Sequence, residues 1–142
     1  MYVLSVHQPW ASLIVQGYKT IELRSYHPRL SSGGYYKGKI GIHASISVAG
    51  IAKAKQINHL MEFIRDIDMD IESLPRGVVL GECIIDDVIK NDPANDLRAC
   101  CWINHGCYTW HLKSAYAYKN PIKAKGFVNL WNWEKPNIIS SQ

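Results

Sequence analysis

Gly17-Tyr18-Lys19-Thr20-Ile21-Glu22-Leu23-Arg24 is the stretch on which the fold turns. Gly17 accepts the positive φ that ends a helix. From Thr20 the residues alternate, which places Ile21 and Leu23 on one face of a strand and Thr20, Glu22 and Arg24 on the other. Lys19 sits at the junction, where strand parity is not yet enforced, so its side chain can swing round to join the polar face. A cation, an anion and a second cation in this pattern can satisfy both donors and acceptors of a polar ligand. The same pattern also describes a solvated strand face with a weak ion pair.

Upstream, residues 2–6 are apolar and β-prone, a short buried strand that ends at His7-Gln8-Pro9-Trp10. Pro9 suits a first helical turn, and Trp10, Leu13, Ile14 and Gly17 follow the spacing of one buried helix face, so a helix is expected over residues 9–16. Its N-terminus, beside His7 and Gln8, is a candidate anion site; the same two residues could equally just stabilise the turn.

Downstream, residues 25–34 carry strong turn chemistry, and Tyr35, Tyr36 and Lys37 add aromatic and basic character. Such residues either stack bases and hold phosphates or pack the turn itself. Residues 39–44 alternate into a strand that carries His43 opposite Ile40 and Ile42, as a site residue or a hydrogen-bonded, semi-buried histidine. Ser45 and Ser47 are candidate caps for a packing helix whose stripe is Val48, Ile51, Ala54, Ile57, Leu60, Met61 and Ile64, with Lys53 and Lys55 on the solvated side. Residues 78–89 form a long β-rich run interrupted by Gly81, where a bulge or close backbone approach is expected. Glu82 is the lone carboxylate in an apolar setting there and needs a partner, with Lys19 or Arg24 as candidates. Residues 108–118 read as a strand, residues 121–126 as a basic turn with Lys123 and Lys125, and residues 127–133 as the last strand.

The whole chain sets outer limits. Its 142 residues suit one domain with a real core, and 47% hydrophobic against 20% charged residues excludes disorder. A net charge of +4 tilts towards anionic partners but falls short of a dedicated duplex binder. No apolar run reaches the length of a membrane span, so no membrane partner and a cytoplasmic protein with reduced cysteines are expected. Residues 66–72 place carboxylates like a calcium loop, but Ile71 stands where glycine is needed and Gly77 where glutamate is needed. Residues 100–107 cluster Cys and His without any C-x₂-C pair, so neither metal nor cofactor is expected. No phosphate-binding loop, dinucleotide fingerprint or serine elbow is present. Strands without regular crossover helices argue for a small mixed or closed β-barrel with helices at its ends.

The residues 4–11, LSVHQPWA, followed by Gly17-x-Lys19-x-x-Glu22-x-Arg24, resemble the ASCH domain family of the PUA-like superfamily. The stretches 42–45 (IHAS), 77–82 (GVVLGE), 108–112 (YTWHL) and 121–133 agree with it. The resemblance implies an α+β fold, a small PUA-like β-barrel of about six strands with two or more flanking helices. Residues 1–134 would form the single domain and residues 135–142 a flexible C-terminal tail.

It further implies a charged cleft that binds RNA, another single-stranded nucleic acid, or a modified nucleoside. Lys19, Glu22 and Arg24 match the family's cleft motif; His7, Gln8, Trp10, Ser25, His43, Glu82 and Trp110 are added as ligand-binding candidates from the residue reading. Phosphate or polar base edges would meet Lys19 and Arg24, an amino group Glu22, and Trp10 or Trp110 would supply a stacking face. Some relatives are amidohydrolases acting on acylated cytidine, with a threonine nucleophile where this chain has Glu22. If the protein is an enzyme, a small hydrolase acting on acylated cytidine-type nucleosides or on RNA, Lys19 and Glu22 are its catalytic candidates. A third option is a protein partner docking on Trp131 and Trp133.

Overall fold

The computed structural model describes residues 1–30, 32–90 and 108–137. Ten elements follow in order: β1 (Tyr2–Val6), α1 (Trp10–Val15), β2 (Ile21–Arg24), β3 (Gly38–Ala44), α2 (Ala49–Ala54), α3 (Asn58–Asp66), the 3₁₀ turn η1 (Ile71–Ser73), β4 (Val78–Lys90), β5 (Tyr108–Lys123) and β6 (Leu130–Asn132). The strands form one six-stranded sheet in the order β2-β5-β4-β3-β1-β6. Only β1 and β3 run parallel, because α1 and β2 intervene between them and carry the chain back. The sheet curls into a half-barrel. Arg24 on the β2 edge donates to the Ser5 carbonyl of β1 at 3.1 Å, a reach that a flat sheet of this order would not permit. The α+β architecture expected from the sequence, six strands with flanking helices, is the one found.

The inner core draws Leu4 and Val6, Ile14, Ile40 and Ile42, Leu80 and Ile85, Trp110, and Leu130 from every strand but β2 and from α1. A second cluster packs Leu13 of α1 against Ile51, Ala54, Ile57, Leu60 and Ile64. On the outer face, Val3, Val79, Tyr118 and Trp131 make a third layer, with Trp133 packed against it. Trp131 is buried and Trp133 half-buried, so the aromatic ending offers no flat contact patch. Cys83 is buried as a free thiol, and burial first, then the charges of Glu22 and Glu82, push it up to about 12, which keeps it unreactive.

Several boundaries differ from those expected. The stripe from Ile51 to Ile64 is buried as one face, but the helix breaks: Ile57 is extended, with φ −102° and ψ 99°. A β-branched residue followed by Asn58 favours such a break. Val48 is 58% exposed and does not belong to the stripe. β5 does not stop at residue 118 but runs through Pro121, because its pairing jumps from Gly81↔Ala117 to Val79↔Ile122. The proline therefore sits where no ladder bond is required. Residues 127–129 are not strand: Asn129 takes φ 60°, a conformation asparagine tolerates, and only Leu130–Asn132 pair with β1. Gly17 does end α1, at φ 84°, with Tyr18 and Lys19 N–H both donating to the Leu13 carbonyl at 2.9 Å. The Cys/His stretch at residues 100–107 lies outside the described residues, as does the end of the tail at 138–142.

Candidate functional site

The turn after α1 delivers Lys19 inward as β2 begins. Lys19 is 1% exposed; its Nζ donates to the Ile21 carbonyl at 2.6 Å and lies 3.4 Å from Glu22 Oε1. Arg24 closes the other side, with Nε and Nη2 donating to Glu22 Oε2 at 3.0 and 2.8 Å. It also reaches the Tyr26 hydroxyl at 3.3 Å. Burial acts to raise the Glu22 carboxyl pKa, but the charges and hydrogen bonds of Arg24 and Lys19 outweigh it and hold the group below its ordinary 4.5. The three charges of the opening motif are thus a closed triad. Lys19 and Arg24 are turned onto Glu22 and the backbone, which makes them poor holders of phosphate.

This triad lines an open cleft of about 1610 Å³, together with His7 and Trp10, Ser5 and His43, Tyr26, and residues 123–129. That exceeds the roughly 300–1,000 Å³ usual for small-molecule pockets. At its back, His43 is 2% exposed. Its Nε2 lies 2.8 Å from the Ala124 carbonyl, which can only accept, so Nε2 carries the proton. Nδ1 then accepts from Ser5 Oγ at 3.1 Å, and Ser5 Oγ accepts from Trp131 Nε1 at 3.1 Å. Burial lowers the His43 pKa more than the Ala124 hydrogen bond raises it, so the imidazole is neutral near pH 7. Gly126 covers this pair. A Cβ there would stand 2.5 Å from His43 Cε1 and 2.7 Å from Ser5 Oγ. Gly50 does the same for α2: a Cβ would meet the Gln8 carbonyl oxygen and His7 Cβ, both at 2.5 Å.

Of the ten residues singled out from the sequence, His7, Trp10, Lys19, Glu22, Arg24 and His43 meet in the cleft. Four do not. Gln8 is fully buried and structural, its Oε1 accepting from Ser12 N–H at 3.0 Å and its Nε2 donating to the Pro75 carbonyl at 2.8 Å. It therefore occupies the helix end that was expected to receive an anion, and α1 is only six residues long. Trp110 is fully buried, with Nε1 donating to the Tyr26 carbonyl at 3.1 Å, so it stacks on no ligand. Ser25 is exposed outside the lining.

Glu82 faces the outer layer. Its partners are not Lys19 or Arg24 but Tyr118 at 2.5 Å, Lys135 at 3.0 Å and Lys39 at 3.7 Å. Thr20 keeps its hydroxyl buried and is not among the cleft residues. Of the aromatics of the 25–36 loop, His27 stacks on Tyr35 at 4.5 Å, while Tyr26 packs on Trp110 and Tyr36 on Tyr2.

Sequence reasoning missed Lys53, Lys123, Lys125 and Phe127, all in the lining. A signal existed for two of them: Lys123 and Lys125 stood out in the sequence as the cations of a basic segment at residues 121–126.

The ASCH domain family model matches residues 4–137. The chain belongs to the ASCH domain family. Activating signal cointegrator 1 of Homo sapiens is 31% identical over 81 residues, covering 56% of this chain and 13% of that protein. The Mus musculus protein of the same name is 30% identical over 81 residues, with the same coverage. This ASCH chain thus matches only 13% of the length of those curated relatives. Among solved structures, ASCH from Zymomonas mobilis aligns over 86% of this chain and 72% of its own, with 16% identity and a TM-score of 0.49. A point variant of that protein gives 15% identity and the same TM-score, 0.49. Among the described residues, no helix of this ASCH domain is long and apolar enough to cross a membrane, and no group of three His, Cys, Asp or Glu side chains is placed to hold a metal.

Proposed function

We propose that this ASCH domain binds RNA, or a modified nucleoside, with a nucleobase resting on the Lys19–Glu22–Arg24 floor of the cleft. The distribution of charge carries the proposal. The lining holds five cations (Lys19, Arg24, Lys53, Lys123 and Lys125) and one carboxylate, Glu22, so the whole formal charge of the chain, +4, is concentrated there. Glu22 Oε2 takes both Arg24 bonds, while Oε1 faces Lys19 at 3.4 Å and retains an acceptor position for an exocyclic amino group. Trp10, half-buried, and Phe127, 55% exposed, supply faces for stacking.

Salt dependence tests it. Single-stranded RNA held by about three phosphates loses roughly 20-fold in affinity between 50 and 200 mM salt, whereas a nucleoside in the same cleft barely responds. Failure of both a ten-nucleotide RNA and free nucleosides to bind at 50 mM salt rejects the proposal.

Hydrolysis of an acylated nucleobase is a second reading, and one observation favours it. Ser5 Oγ donates to the neutral His43 in the cleft at 3.1 Å, the arrangement of a hydroxyl beside its base. Mass spectrometry of acylated cytidine incubated with the protein would show deacylation that Ser5→Ala removes. Turnover no greater than the blank rejects the hydrolase.

A further inference from the structure

Lys19 and Arg24 are committed to Glu22, so a nucleic-acid ligand of this cleft needs other groups for its backbone. Three lysines line the cleft beyond the triad. Lys53 is carried by α2, which Gly50 allows to dock against the Gln8 carbonyl and the His7 side chain. Lys123 and Lys125 flank Ala124, whose N–H donates to the Gly77 carbonyl at 3.1 Å and whose carbonyl accepts from His43 at 2.8 Å. The two lysines therefore flank backbone that is fixed at both its donor and its acceptor, and both line the cleft.

Their surroundings set them apart from the lysines that are paired elsewhere on the fold, and their place in the cleft sets them apart from Lys90 and Lys119. Lys37 lies 3.9 Å from Asp87 and Lys113 2.8 Å from Asp86; Lys55 pairs with Glu72, and Lys39 and Lys135 with Glu82. Among the described residues, Lys53, Lys123 and Lys125 have no carboxylate partner, and the sole carboxylate of the cleft is already claimed by the triad. Ammonium groups that line one cleft without a carboxylate partner raise its positive potential and gain from an anion there. Lys125 also lies 5.8 Å over the ring of Phe127, which places a cation beside a stacking face as a nucleotide places phosphate beside base.

We infer that Lys53, Lys123 and Lys125 form a phosphate subsite at the mouth of the cleft, so that the ligand is a nucleotide with its phosphate rather than a free nucleoside. The inference rests on base binding at the Glu22 floor and specifies the chemical class of that ligand. The phosphate comes either from a mononucleotide or from a strand, and the cleft volume of about 1610 Å³ leaves room for more than one residue of a strand.

Calorimetric titration with cytidine, adenosine, their 5′-monophosphates and a ten-nucleotide single-stranded RNA separates these cases. The monophosphates are expected to bind at least about 10-fold more tightly than the nucleosides, and the RNA more tightly again if a strand is the natural source. The triple variant Lys53→Ala, Lys123→Ala, Lys125→Ala replaces exposed side chains, so it keeps the fold. It should bind nucleoside and monophosphate alike, and its salt slope for RNA should fall by about 2, as loss of three phosphate contacts requires. The control double variant Lys37→Ala, Lys55→Ala lowers net charge away from the cleft and should leave every affinity within about 2-fold. Equal binding of nucleoside and monophosphate by the wild type overturns the phosphate subsite and leaves base binding intact. So does a triple variant that keeps the preference, or a control that loses as much. Absence of binding by every probe overturns both.

Discussion

Glu22→Gln is expected to lose about 3–5 kcal/mol of stability, the usual cost of breaking a buried ion pair by removing one partner. The Lys19 side chain is 0% exposed, and its ammonium faces Glu22 Oε1 at 3.4 Å. With the carboxylate gone, Arg24 at 2.8 Å also loses its anion, and two cations are left close together in a low-dielectric setting. At roughly 3 °C per kcal/mol for a domain of this size, thermal unfolding should fall by about 10 °C. Replacing both members, as in Lys19→Met with Glu22→Leu, should recover part of that loss, since it removes the buried ammonium with the carboxylate and leaves only the partly exposed Arg24 without its anion. Under the proposed base contact at Glu22, ligand binding is expected to be lost in both variants. That separation of stability from binding is the informative result; a Glu22→Gln protein melting with the wild type would show that Lys19 is not held by this carboxylate.

The same triad sets the response to acid. The folded Glu22 pKa lies below its unfolded value, so its contribution is fully present above the unfolded pKa, near 4.5, and is lost as pH falls through the folded pKa. Glu82 acts in the same direction: burial acts to raise it, but hydrogen bonds from Tyr118, Tyr116 and Lys135 hold it low. Glu22→Gln should therefore flatten the fall of the unfolding midpoint below pH 4.5.

Gly81→Ala is expected to cost about 3 kcal/mol, the upper end for overpacking. An added Cβ would stand 2.1 Å from the Tyr116 carbonyl oxygen, 2.9 Å from Ala117 Cα and 3.1 Å from the Tyr116 carbonyl carbon. All three are backbone of the paired strand, so no rotamer change relieves the contact, and β4 must part from β5 in the middle of the sheet. Gly34→Ala, with nothing within 4 Å of the new carbon, serves as control and should stay within about 0.5 kcal/mol. Urea unfolding with both variants checks this; a Gly81→Ala midpoint shift equal to that of the control refutes the close approach.

Local chemistry made some of this readable from residues alone. Gly17 at φ 84° ends α1 because the reversal needs a left-handed residue, and Gly81 marks a register shift because side chains are excluded there. Strand parity put Glu22 and Arg24 on one side, and they do meet. What escaped depends on tertiary approach. Gln8 and Trp110 are polar-tipped residues that looked available, yet each satisfies a backbone group distant in sequence: Pro75 for one, Tyr26 for the other. Glu82 met Lys135 from the far end of the chain because the β4 bulges present it to the outer layer. Lys53 looked like an ordinary solvated lysine, since its place in the cleft comes from its helix docking through Gly50 on the β1–α1 junction, a tertiary contact that helical spacing does not reveal.

The place of β1 in the sheet has a consequence for synthesis. Its neighbours are β3 on one side and β6 on the other, and the Trp133 N–H donates to the Met1 carbonyl at 2.8 Å. Of these six strands, the first to be synthesised therefore has its second flank closed only by the last. Until residues 130–132 emerge, the outer edge of Tyr2–Val6 exposes unpaired backbone groups, a template for strand addition by other nascent chains. Long-range closure of this kind slows folding, and a ribosome stalled before residue 130 would hold a nearly finished domain with one adhesive edge.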